Sequence, residues 1–283
     1  MNSITAPSEY HINVDHNDEI ALDLLAQHTT YSRQGIKQAM TKGAVWLSHG
    51  TQTTRLRRAK KNLNKGDQLH LYYDEGILAT EPPKPTLIAD EEGYSIWYKP
   101  YGLLSQGSKW GDHCTINRWI EQHQKPQRPA IIVHRLDRAA TGLMIIAHQK
   151  RIAAAFSRIF QQRAISKHYQ AIVQGHFPVA EKALCIDQAL DDRPAISHVT
   201  ALGYDREKNQ SLVKVVIETG RKHQIRQHLA SIGFPIVGDR LYGSQQQEYE
   251  QDLQLTACYL AFECPVDHQQ KKFRLAAHLC PCF

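Results

Sequence analysis

The chain has 283 residues, with 34 Lys and Arg against 28 Asp and Glu, a formal charge of +6, and 42% hydrophobic residues. That length supports one large or two modest domains with a real core and excludes a peptide or a bare adaptor motif. The charge is segregated: residues 33–66 hold nine Lys or Arg and no acid, and residues 113–170 hold ten against two acids, Glu121 and Asp137. Two basic surfaces follow, of the kind that gathers a polyanion or is simply solvated.

The first residues are polar and acidic, without the basic start and apolar stretch of an export signal. Apolar runs such as residues 143–147 are five long, where a membrane span needs about 20. A soluble protein with no membrane partner is the expectation. The six cysteines have scattered spacing in a chain rich in apolar residues, so a reducing cytoplasm fits better than a disulfide framework.

In chain order, Ile20, Leu22, Leu24 and Leu25 predict a short amphipathic helix over 20–26. Ser32 caps a second helix over 33–42, with Ile36, Ala39 and Met40 inward, Arg33, Lys37 and Lys42 outward, and Gly43 as its stop. A strand over 45–47, a turn over 49–54, the cluster Arg55, Arg57, Arg58, Lys60 and Lys61, and an alternating strand over 68–73 complete a module at 18–75. Residues 76–90, with three prolines in four positions, predict a stiff linker, and residues 91–283 form a second domain. There, strands are expected at 94–99, 130–134, 143–147, 169–173 and 212–218, and helices at 115–123 and 149–163. The irregular order of helices and strands makes the class α+β.

Three stretches could carry chemistry. In His134-Arg135-Leu136-Asp137-Arg138-Ala139-Ala140-Thr141-Gly142-Leu143, a loop between apolar strands holds one acid among cations. Cationic neighbours favour the ionised carboxylate, which is a nucleophile or base; a structural Asp bonded to turn amides is the other reading. In Glu218-Thr219-Gly220-Arg221-Lys222-His223-Gln224-Ile225-Arg226, a turn leads into a helix with cations in its first turns. Cations there oppose the helix dipole, which is easier to understand if a phosphate or Asp137 sits against them, though a solvated basic face has the same composition. In the strand Lys167-His168-Tyr169-Gln170-Ala171-Ile172-Val173, Lys167 and Tyr169 share a face. Tyr169 can stack on a base or be core.

Together and in this order, these stretches resemble the motifs of the RluA-type RNA pseudouridine synthases. The likeness extends upstream to Lys99-Pro100-Tyr101-Gly102-Leu103 and downstream to Gly238-Asp239-Arg240-Leu241-Tyr242-Gly243, covering about residues 90–275, while residues 18–75 are similar to an S4 RNA-binding domain. The resemblance implies a small S4 domain joined to a catalytic domain with a central mixed, mainly antiparallel sheet and an RNA-binding cleft. It implies Asp137 as the nucleophile that isomerises a uridine to pseudouridine. Tyr169 would stack on the uracil and help a proton move, Arg226 would pair with Asp137, and Arg135 would fill the place of the flipped nucleotide. Lys167 and Leu143 would line the pocket, with Arg221 and His223 supporting it or holding phosphate. Arg33, Lys37, Arg55, Arg57 and Arg58 would grip RNA backbone.

The partner expected is RNA, ribosomal (large-subunit) rather than transfer RNA, with no protein partner evident. Isomerisation transfers no electrons and uses no energy donor, so neither cofactor nor metal is expected. The C-x-C pair Cys280 and Cys282 lacks the second pair of a zinc site. Ala140 and Thr141 depart from the family's Thr and Ser, which keeps open a noncatalytic RNA-binding or ribosome-assembly factor on the same scaffold.

Overall fold

The structure, a computed structural model, describes residues 6–243 and 251–283. It divides into two compact units. One runs to Pro82 and takes in Gln106–Gln122; the other comprises Pro83–Ser105 and His123–Phe283. The units therefore interleave in sequence, and residues 106–122, placed in the second domain by their position along the chain, pack with the first.

The first unit contains β1 (Ser8–Asn13), β2 (Glu19–Ile20), α1 (Ala21–His28), α2 (Arg33–Thr41), β3 (Val45–His49), β4 (Gln52–Arg55), β5 (Asn62–Leu63), β6 (Gln68–Tyr73), α3 (Glu75–Ala79) and α4 (Ile116–His123). Its main sheet is antiparallel, in the order β1-β6-β3-β4, and β2 pairs with β5. As the sequence predicts, Ser32 caps α2, its Oγ accepting from the Gly35 amide at 3.1 Å. Gly43, at φ +82°, makes the left-handed exit that a residue with a Cβ resists. The helices bury Leu25, Ile36 and Met40 against Val45, Leu69 and Leu71, each such side chain contributing about 1.5–3 kcal/mol of transfer free energy. β4 occupies part of the expected turn: its four residues are polar and exposed or nearly so, so no alternation announces them.

The second unit contains β7 (Thr86–Asp90), β8 (Tyr94–Lys99), β9 (Ile131–Ile132), β10 (Thr141–Ala147), α5 (Lys150–Gln161), β11 (Ile165–Gln174), β12 (Leu184–Asp187), β13 (Ile196–Asp205), β14 (Gln210–Ile217), α6 (Gln224–Ser231), β15 (Leu255–Glu263) and β16 (Gln270–Arg274). These strands form one sheet in the order β12-β13-β14-β11-β15-β10-β8-β7, with β16 on β15 and β9 on β10. It is mixed and mainly antiparallel, the parallel pair being β10 and β15. There Gly142, at φ +117°, pairs with Ala257 so closely that a Cβ would sit 2.3 Å from the Ala257 carbonyl oxygen. α5 buries Ile152 and Phe156 in a core with Tyr94, Leu260 and Phe262.

Three expectations are corrected. The stretch read as a linker contains α3 and β7; β7 is a largely exposed edge strand with an irregular register, so it lacks a buried-face signature. The strand expected over 130–134 shrinks to β9 because the ring of His134, not a backbone carbonyl, takes the Ile145 amide at 2.8 Å. The helix after the Thr-Gly turn begins at Gln224, with His223 at φ +53° preceding it, so Arg221 and Lys222 lie outside the helix, while Arg226 stands in its first turn against Asp137 and Asp239.

Candidate active site

The loop between β9 and β10 carries Arg135 and Asp137, and three devices hold it. Ser105, 4% exposed, donates its hydroxyl to the Leu136 carbonyl at 2.6 Å and accepts the Leu136 amide at 3.0 Å. Lys99, completely buried at the end of β8, donates from Nζ to the carbonyls of Leu103 at 2.9 Å, Pro100 at 3.1 Å and Arg138 at 3.3 Å. Burial pushes its pKa down to about 7, against a smaller opposing pull from Asp137. The turn closes on itself through the Ala140 amide, which donates to the Asp137 carbonyl at 3.2 Å.

Against this loop α6 sets Arg226. Its Nε and Nη2 donate to Asp239 at 2.7 and 2.6 Å, a fork-on-carboxylate pair in which Arg226 is 5% and Asp239 1% exposed. Its Nη1 reaches Asp137 Oδ2 at 3.4 Å. Burial works against the guanidinium charge, but Asp239 and Asp137 outweigh it and raise the Arg226 pKa. For Asp239, burial is likewise overcome by Arg226 and by the amides of Leu241 and Tyr242, and its pKa falls. Arg226 thus stays cationic beside Asp137.

The sequence-predicted residues fall into two groups. Asp137, Arg226, His223 and Tyr169 come together: His223 Nε2 lies 3.9 Å from Asp137 Oδ1, its Nδ1 bonds the Tyr242 hydroxyl at 3.0 Å, and Tyr169, 8% exposed on β11, feels the charge of Asp137. Burial first, then Asp137, raises the phenol's pKa, so the hydroxyl is neutral. Burial also lowers the His223 pKa, assisted by Arg226 and Lys222 and opposed by Asp137 and Asp239. Lys167, beside Tyr169, is half-buried, with Nζ 5.8 Å from the Phe160 ring centroid.

The others sit elsewhere. Leu143 is fully buried in the core beneath the loop, and Arg135 is exposed. Arg221 braces a neighbouring turn, donating to the Pro194 carbonyl at 3.1 Å. In the first unit Arg55 and Arg57 both engage Asp112, at 3.2 and 2.5 Å, and Arg55 lies over the Trp46 ring at 4.1 Å. Arg33 pairs with Asp23, whereas Lys37 and Arg58 are exposed. Sequence reasoning missed Asp239, Ser105, Lys99 and the buried Gln224, whose Oε1 accepts from Thr219 and the Arg221 amide at 2.7 and 3.0 Å. Asp239 and Lys99 lay inside recognised motifs, but nothing local marked their partners.

The structure thus brings together a buried arginine, a partly open carboxylate and a buried tyrosine on one mixed sheet. The sequence profile described as RNA pseudouridylate synthase matches residues 93–231. The Vibrio cholerae dual-specificity RNA pseudouridine synthase RluA is 32% identical over 203 residues, covering 66% of this chain and 82% of that one. The Nitrosomonas europaea ribosomal large subunit pseudouridine synthase D is 34% identical over 175 residues, 56% of this chain and 49% of that one. The fold is shared with human RNA pseudouridylate synthase domain containing 1, at a TM-score of 0.57 and 21% identity over 70% of this chain and 86% of that one. The chain belongs to the RluA-type RNA pseudouridine synthases. It is an isomerase whose substrate is RNA.

Proposed function

We propose that Asp137 is the nucleophile that converts a uridine of ribosomal RNA to pseudouridine. The overall change breaks the N1–C1′ bond, forms a C5–C1′ bond, removes the proton from C5 and places one on N1, so atoms balance without a cofactor. Asp137 attacks C1′ of the flipped nucleotide as the N1–C1′ bond breaks, the freed base turns, and C5 displaces the carboxylate from C1′, after which C5 loses its proton and N1 carries one. Arg226 orients the carboxylate, and Tyr169 stacks on the uracil. The observation that carries this reading is Arg226 locked on Asp239 by two hydrogen bonds while its third nitrogen faces Asp137.

The first unit serves as an S4-like RNA-binding domain in this reading. Lys37, Arg58, Lys60 and Lys61 are exposed there and free to meet phosphate. Large-subunit ribosomal RNA is favoured by the name of the Nitrosomonas relative. The RNA meets the second unit in a cleft at Asp137. Six cysteines without disulfides suit a reducing cytoplasm, and no helix among the described residues is long and apolar enough to cross a membrane.

The test is to map pseudouridines across ribosomal and transfer RNA in cells with and without this protein. Loss of a site in large-subunit RNA is expected. Loss confined to transfer RNA overturns the substrate, and loss of none overturns the enzyme's role there.

A further inference from the structure

Along β13, β14, β11, β15 and β16 the sheet has an outer side of half-buried and exposed residues, which the C-terminal segment borders through Cys280 near Arg274 and Phe283 against Gly203. Alternation along β11, β13 and β14 buries Tyr169, Val199, Val213 and Val215 on the side of the site. It leaves His168, His198 and Lys214 half-buried on the opposite side. The register there forms a single cross-strand row: Arg274 pairs with Tyr259, Tyr259 with His168, His168 with Val216, and Val216 with His198. Five strands at about 4.8 Å spacing make a track about 19 Å long.

The track has the composition of a nucleic-acid platform. The His168 and Tyr259 rings stack at 4.6 Å, and the Arg274 guanidinium lies 5.7 Å from the Tyr259 ring centroid. Lys214 flanks the row, and Lys272, two residues along β16 from Arg274, shares its face. Among the described residues no ion pair engages Lys214, Lys272 or Arg274, whereas the nearby carboxylates are occupied: Glu218 by His198 at 2.7 Å and Glu263 by His268 at 3.2 Å. Burial, then Lys214 and Arg274, lower the His168 pKa, favouring the uncharged ring that stacks without adding charge. Phe283, against Gly203, bounds the patch at its other corner.

We propose that this outer face, centred on His168 and Tyr259 and flanked by Lys214, Lys272 and Arg274, binds a single-stranded segment of the RNA substrate at a distance from the reacting uridine. Stacked rings take bases without regard to sequence, and unpaired cations take phosphates, so the face would add affinity rather than select the uridine. An acidic protein would use the cations but not the stacked rings. The inference rests on the substrate being RNA and is independent of Asp137.

The test titrates the full-length chain into a fluorescein-labelled 12-mer oligouridylate by fluorescence anisotropy at a series of salt concentrations. For the combined variant Lys214→Gln, Lys272→Gln, Arg274→Gln, the slope of log affinity on log salt should become shallower by about 2, at about 0.7 per single-strand phosphate contact. Asp137→Asn should leave that slope unchanged, which separates this face from the nucleophile. An unchanged slope in the triple variant overturns the proposal, as does a triple variant that loses a poly-glutamate peptide but keeps the oligonucleotide. In the native protein the oligonucleotide should also shield Lys214 and Lys272 from an amine-reactive label at least fivefold; labelling at the free rate overturns it without relying on a variant's folding.

Discussion

Arg226 is shared unequally between two carboxylates: Asp239, buried, takes Nε and Nη2 at 2.7 and 2.6 Å, while Asp137, partly open, receives only Nη1 at 3.4 Å. Asp239 therefore fixes the guanidinium, and Asp137 keeps lone pairs open for its proposed role. A guanidinium held by Asp137 alone would be free to swing, and one bidentate on Asp137 would occupy the oxygen proposed to attack.

Asp239→Asn keeps the shape but leaves a buried guanidinium short of one negative charge. Breaking a buried pair costs about 3–5 kcal/mol, and a reacting group misplaced by about 1 Å costs up to about 100-fold in rate. Urea unfolding and turnover on RNA should show both losses. Wild-type turnover would remove Asp239 from the supporting role.

Ser105→Ala strands the amide and carbonyl of Leu136, next to the proposed nucleophile Asp137. A buried group left unsatisfied costs about 1–3 kcal/mol, and a displacement of the loop by about 1 Å costs up to about 100-fold in kcat. Unfolding midpoints and single-turnover rates check this, with kcat falling more than affinity.

His134 gives a pH signature. Burial, aided by Lys167, lowers its pKa to about 3, below an ordinary value of 6.5, and the neutral ring accepts the Ile145 amide. The unfolded chain then binds more protons between these values, so the histidine's contribution to stability is full above pH 6.5 and is lost as pH falls toward 3. Between pH 7 and pH 5 the native protein should lose about 2 kcal/mol through this group. His134→Gln, which can still accept the amide, should lose correspondingly less over the same interval in paired denaturation curves. Parallel losses in the two proteins would contradict the assignment.

The basic run of the first unit should divide into two roles. Arg55 and Arg57 hold Asp112, so Arg55→Ala should lower the unfolding midpoint. Arg58→Ala with Lys60→Ala and Lys61→Ala, all exposed, should leave that midpoint alone and make the salt dependence of RNA binding shallower by about 2. The reverse pattern would mean that Asp112 does not neutralise the two arginines.

What was legible in the sequence was local. Ser32 and Gly43 punctuate α2 because a cap and a left-handed exit each need one residue type, and the motif around Asp137 lies between apolar segments that read as strands. The family resemblance supplied the pairing of Arg226 with Asp137, which the structure contains at 3.4 Å; what escaped was the second carboxylate, Asp239, on the same guanidinium. Asp239 lies 102 positions from Asp137, and the Asp137 loop gives no local sign of the arginine or of the second carboxylate that meet there. β7 escaped because an exposed edge strand has no buried face, and residues 106–122 escaped because packing, rather than composition, assigns them to the first unit. The charge count found Arg55 and Arg57 but could not reveal that Asp112 lies between them.

The central claim is that Asp137 performs the chemistry, and tritium release from RNA labelled at uridine C5 tests it most directly, because the label leaves only when C5 is joined to C1′. The native protein should release tritium, and Asp137→Asn should release none above background while binding the same RNA with unchanged affinity. Equal release from the two proteins would contradict the account.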